Sequence, residues 1–163
     1  MKKIPVVRQT AWQSVLFQFV ILAIFVTIVS IFQGGFTLQA IMIGVIIHVV
    51  YQAIIKILIE RPVTGGIKLI QKRKFEEAIS LFEKAYQFYS QNKWIDQGRY
   101  FLLISSNVSF REMTLVNIAF CYSQIGNGLK SKEYYQRILA EFPESAFAEV
   151  SLNAIKAFEV SKK

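Results

Sequence analysis

The side chains able to do chemistry are few and scattered. His48 is the only histidine and Cys121 the only cysteine. His48 lies in a stretch of 47 residues, Gln9 to Ile55, without Asp, Glu, Lys or Arg. A proton relay or a metal centre there needs a neighbouring carboxylate or a second imidazole, and the stretch holds neither. Gln52 follows His48 by four residues, on the same helical face, and Gln18 lies in the preceding apolar run. The expected role of His48 is a neutral imidazole hydrogen-bonded to Gln18 or to another helix. Cys121 sits within a helical pattern beside Tyr122 and reads as a small buried hydrophobe. Glu76/Glu77 and Glu141/Glu144 read as solvated helix faces and a helix end. No phosphate loop, G-x-S-x-G or H-E-x-x-H occurs. One cysteine makes neither an intramolecular disulfide nor a C-x-x-C zinc site. The sequence therefore points away from an enzyme and calls for no metal and no cofactor.

The elements that carry these residues divide the chain in two. As one helix the uncharged stretch would measure roughly 70 Å, more than twice the ~30 Å hydrocarbon core of a bilayer. It must fold back, and Gln33-Gly34-Gly35 is the hinge, because glycine tolerates the positive φ of a tight turn. Residues 1–58 are thus expected to form a transmembrane helical hairpin, with spans near 11–32 and 36–58. The first apolar run is too long for a signal peptide, and no A-x-A site follows it. Ala40-x-x-x-Gly44 is a small-xxx-small spacing that permits close helix approach.

Charge sets the expected orientation. Lys2, Lys3 and Arg8 precede the first span; Lys56, Arg61, Lys68, Lys72, Arg73 and Lys74 follow the second; the tip carries none. The positive-inside rule puts both termini in the cytoplasm, and a bacterial inner membrane fits the short uncharged tip. The six cations after the second span are also expected to meet anionic lipid headgroups. Residues 75–163 carry ten basic and ten acidic side chains, so the net charge of +8 belongs to the membrane flank. No nucleic-acid-binding face is indicated.

Beyond Pro62 the pattern changes to amphipathic helices. Phe75, Ala78, Ile79, Phe82, Ala85, Tyr86 and Tyr89 recur at three- and four-residue steps. Ser109-Phe110-Arg111-Glu112 reads as a capping box opening another helix, which ends at Gly126. A further helix follows from Leu129 and stops at Pro143. This half is expected to be all-α.

Leu115, Ile118, Ala119, Tyr122, Gly126, Ser131, Tyr135, Ile138 and Pro143 resemble the tetratricopeptide repeat (TPR), a 34-residue helix–turn–helix. In that register one repeat covers 112–145, with serine at Ser131 where the family usually has alanine. A second copy fits 59–92, where Ala78, Phe82 and Ala85 reproduce the second-helix pattern. Its first helix is expected to begin after Gly65-Gly66. Residues 93–111 are then an insert, apolar enough for an additional helix, and 146–160 a polar-faced capping helix. The resemblance implies an all-α chain, a two-span hairpin followed by a TPR-like α-solenoid over 59–163.

It also implies a protein-binding scaffold whose groove is lined by Met113, Val116, Asn117, Phe120, Gln124, Phe147 and Val150. That lining is apolar and suits an amphipathic helix from a protein or peptide partner, unless the insert fills the groove itself. The alternative expectation is a homo-oligomer, a small pore or a transporter accessory subunit, in which the hairpin with Gln18, His48 and Gln52 is the working part.

Overall fold

A computed structural model of the chain describes residues 12–98 and 108–161. Every regular element among them is helical: α1 (Trp12–Phe32), α2 (Leu38–Ile55), a π-helical turn (Lys56–Glu60), α3 (Arg61–Gln71), α4 (Phe75–Gln91), the short α5 (Trp94–Gln97), α6 (Phe110–Gln124), α7 (Gly128–Glu141) and α8 (Ala146–Ser161). Contacts separate residues 12–61 from a second compact unit built on 62–96 and 108–161.

In the first unit, α1 ends at the expected glycines. Gly34 takes φ 77°, and the amides of Gly34 and Gly35 donate to the carbonyls of Ile31 and Ser30 at 3.3 and 2.9 Å. This Schellman arrangement satisfies carbonyls that a helix end leaves open. Thr37 then caps α2, its Oγ1 accepting from the Ala40 amide at 3.1 Å. The two helices pack on each other along Ala40, Gly44 and His48, spaced by four and all buried. A Cβ at Gly44 would stand 2.8 Å from Val26 Cα, so the small residue sets the helix separation.

The outer surface of this hairpin is apolar. Leu16, Phe19 and Phe32 on α1 and Leu38, Met42 and Val49 on α2 are each more than half exposed. Two helices, one near the start of the chain and one beginning at Leu38, are long and apolar enough to cross a membrane.

In the second unit, α3 begins earlier than the sequence reading has it, before Pro62 and the glycines rather than after them. The π-helical turn ahead of Pro62 widens the backbone where the proline ring would otherwise meet the carbonyl one turn back. Gly65 and Gly66 serve packing instead of termination. A Cβ on Gly66 would clash with Cζ of the Phe82 ring, and one on Gly65 would stand 3.0 Å from Leu81 Cδ2. The helix closes with a second Schellman pair, Arg73 to Ile70 and Lys74 to Leu69 at 2.9 and 3.0 Å, which holds Arg73 at φ 59°.

α4 packs on α6, α6 on α7, and α7 on α8. With neighbours on two sides, α6 buries Phe110, Thr114, Leu115, Ile118, Ala119 and Cys121 over about half of its circumference. Its start is as expected: Ser109 Oγ accepts from the Glu112 amide at 3.0 Å. Asp96 Oδ1 also accepts from the Phe110 amide at 2.7 Å, so α5 is tied to the same helix end. The helix expected within 93–111 appears only as the four residues of α5; 99–107 lie outside the described residues. Gly126, at φ 79°, ends α6 with a third Schellman pair. Phe82, Tyr89, Leu115, Ile118 and Ile138 lie at 1% exposure or less, each contributing about 1.5–3 kcal/mol by burial.

Candidate functional site

The seven residues expected to line a groove lie on two helices of the helical unit. On α6, Met113, Val116, Asn117 and Phe120 are half-buried and Gln124 is exposed. Phe120 meets Phe75 of α4 edge-on, ring centroids 6.5 Å apart, so an aromatic from the preceding helix covers part of it. Asn117 turns back on its own helix, donating from Nδ2 to the Met113 carbonyl at 2.8 Å. The other two residues, Phe147 and Val150, sit on α8, half-buried and 68% exposed respectively. The seven therefore lie on two helices that both pack against α7.

α8 exposes Glu149, Asn153 and Lys156, the polar residues expected of a capping helix, and beside them an apolar line. It packs through Ala148 and Leu152, which are buried, and leaves Val150, Ala154 and Phe158 exposed. An α-helix advances about 100° per residue, so these three lie within roughly 80° of one another, away from the packed face. Glu149, Asn153 and Lys156 flank them. Lys132 of α7 pairs with Glu159 at 2.9 Å and fixes the far end of α8.

A well-connected polar cluster among the described residues centres on Glu141, which the sequence alone presents as part of a solvated helix end. Glu141, near the end of α7, accepts from Tyr86 Oη at 2.7 and 2.8 Å, from an Arg111 guanidinium nitrogen at 2.6 Å and from Arg137 Nε at 3.0 Å. Both guanidinium groups also lie over the Tyr86 ring, Arg137 at 4.6 Å and Arg111 at 5.8 Å. Burial pushes the Glu141 carboxyl up, but the bonds from Tyr86 and Arg137 and the charges of Arg137 and Arg111 outweigh it, and its pKa is lowered. The cluster locks α4, α6 and α7 together. Its one local signal is the four-residue spacing of Arg137 and Glu141; the 55-residue separation of Tyr86 from Glu141 leaves none.

In the hairpin, His48 is 7% exposed and finds its partner on its own helix. Gln52 Nε2 donates to His48 Nε2 at 2.8 Å, whereas the expected partner is Gln18 or another helix. That bond puts the imidazole proton on Nδ1, which is buried and has no hydrogen-bond partner. Gln18 is half-buried on α1. The Phe25 ring stands 6.1 Å from His48 and 5.8 Å from Tyr51.

The cations divide by environment. Lys56 and Arg61 are exposed in the first unit; Lys68, Lys72 and Arg73 are exposed in the second, with no ion pair among the described residues. Lys74 differs, pairing with Glu77 at 2.7 Å.

Cys121 is fully buried, and burial raises its thiol to about 12, so it carries no thiolate near neutrality. Among the described residues, no three His, Cys, Asp or Glu side chains are grouped so as to hold a metal ion. No protein-family model, curated protein or solved structure matches the chain.

Proposed function

We propose that the chain is a membrane-anchored adaptor. Its hairpin crosses a bilayer, a bacterial inner membrane fitting best, with both termini in the cytoplasm, and its helical unit is a TPR-like module that binds an amphipathic helix of a protein partner. The observation that carries the reading is the exposed apolar pair Val150 and Ala154 on α8, the last helix of a unit in which α4 packs on α6, α6 on α7 and α7 on α8. An α-helix with apolar residues on both sides is built to be covered twice, and α7 covers α8 once. The repeat reading draws support from Ala119 and Ser131, small and buried where α6 meets α7, and from Tyr135 at 8% exposure beside them. It also gains from Gly66 under the Phe82 ring, the same close approach in the preceding pair.

The test compares proteins retained by the full-length chain in mild detergent with those retained by two variants. Phe120→Glu changes the α6 surface and Val150→Glu the α8 surface. A stoichiometric partner lost with either variant and kept with the exposed control Lys84→Glu supports the adaptor. Retention of the same partners by both variants rejects groove binding.

A second reading has one observation in its favour: the unpartnered Nδ1 of His48 inside the hairpin. In it the hairpin is the working element of a homo-oligomer. A discrete oligomer that His48→Ala dissociates, with no captured partner, would support that reading instead.

A further inference from the structure

We propose that the exposed face of α3 and the residues that close it bind the headgroups of anionic phospholipids, through Lys68, Lys72 and Arg73. α3 is two-sided. Val63, Gly66 and Ile70 are buried, whereas Thr64, Lys68 and Gln71 are exposed, and Lys72 extends that face because its amide still donates to the Lys68 carbonyl at 3.2 Å. At 100° per residue, Thr64, Lys68, Gln71 and Lys72 fall within about 100° of arc. Two ammonium groups and two neutral hydrogen-bonding side chains thus share one face with no carboxylate among them. That is the donor set a phosphodiester and its glycerol hydroxyls require.

Arg73 extends the face past the end of the helix. The corresponding positions closing α1 and α6 are Gly34 and Gly126, which take φ 77° and 79° without cost. Arginine at φ 59° carries a backbone penalty that glycine would avoid, and in return adds a planar donor fork suited to phosphate. Lys74 is outside the set because Glu77 already neutralises it. The hollow beside Arg73 is lined by Arg73 and Lys74 but also by Glu76 and Glu77, two cations against two carboxylates, so it offers an anion no net charge and the outer face of α3 is the site.

The source of the headgroup follows from where the face lies in the chain. Lys68 follows Arg61 by seven residues in the chain, and the segment ending at Arg61 holds helices long and apolar enough to cross a bilayer. The proposal rests on that crossing for its biological setting, but its binding chemistry does not need a bilayer.

The test is therefore made on the full-length chain in a nonionic detergent at low ionic strength, titrated with dioctanoyl phosphatidylglycerol and, separately, dioctanoyl phosphatidylcholine. Each surface cation contributes on the order of a fivefold gain in affinity for an anionic lipid. Lys68→Gln/Lys72→Gln/Arg73→Gln should weaken phosphatidylglycerol binding by about 100-fold. Lys84→Gln/Lys93→Gln/Lys156→Gln removes the same net charge from exposed positions elsewhere and should change it by less than about threefold. Both triple variants should keep the wild-type helical circular dichroism. Equal losses in the two variants, equal binding of phosphatidylcholine, or displacement by glycerol phosphate at equal concentration would each overturn the proposal. Separately, extraction of the chain from membranes by alkaline carbonate would reject the crossing while leaving this titration interpretable.

Discussion

The hairpin and the helical unit solve helix packing in opposite ways. In the hairpin the large apolar side chains point outward and small residues, Ala40 and Gly44, face the partner helix. In the helical unit the large side chains, Phe82, Tyr89, Leu115 and Ile138, point inward and the exterior carries charge. The hairpin leaves a buried imidazole nitrogen unpartnered, whereas Glu141 in the helical unit gathers three donors. In the bilayer proposed for the hairpin, hydrocarbon would supply no hydrophobic force between helices, so close backbone contact would have to hold them. Water around a helix supplies that force, and core volume holds them.

Phe82→Ala removes a fully buried ring that sits on Gly66, and should destabilise the helical unit by about 3–5 kcal/mol in chemical denaturation. The hairpin should be untouched. A loss below about 1 kcal/mol would mean that the core is not organised around that ring.

Gly44→Leu is the converse change. It drives a side chain into Val26, and overpacking of this kind costs about 1–3 kcal/mol. On a Cys121→Ala background, the cysteine pair Phe25→Cys/Tyr51→Cys should cross-link readily with glycine at 44 and poorly with leucine. Undiminished cross-linking would show that the small residue does not set the spacing.

Glu141→Gln should cost the helical unit about 1–3 kcal/mol, because two guanidinium groups and a phenol lose a charged acceptor. The carboxyl pKa is lowered in the fold, so its contribution is complete above the ordinary value of 4.5 and is lost as pH falls through the folded value below it. Wild-type stability should therefore decline on acidification below about pH 4.5, and the variant's should decline less. Parallel acid profiles would rule out the lock.

Arg73→Gly gives the smallest effect and the opposite sign. Relieving φ 59° should stabilise the helical unit by about 1 kcal/mol, seen as a raised melting temperature.

Much of this architecture was legible in the sequence. Gly34 and Gly126 mark helix ends because few other residues accept positive φ, and Ser109 with Glu112 marks a helix start by spacing alone. The uncharged stretch and its hinge fixed the hairpin for the same kind of reason. What was not legible depends on contacts between distant residues. Gly65-Gly66 reads as a helix breaker unless Phe82 is known to lie on it. Glu141 reads as solvated unless Tyr86 and Arg111 are known to reach it. Arg73 looks like one more cation, since nothing local announces a Schellman turn at an arginine. On α8 the sequence shows the apolar positions, but which side packs is decided by Ala148 and Leu152, both buried, with α7 as the neighbouring helix.

The most direct measurement is the accessibility of two engineered cysteines to a membrane-impermeant maleimide in intact cells, one at Gln33→Cys in the hairpin tip and one at Lys84→Cys on α4. Cys121 is buried with its thiol raised to about 12, so it adds little background. A membrane-anchored chain with a cytoplasmic helical unit should label at position 33 before lysis and at position 84 only after it. Labelling of position 84 in intact cells, or of neither position until lysis, would contradict that arrangement.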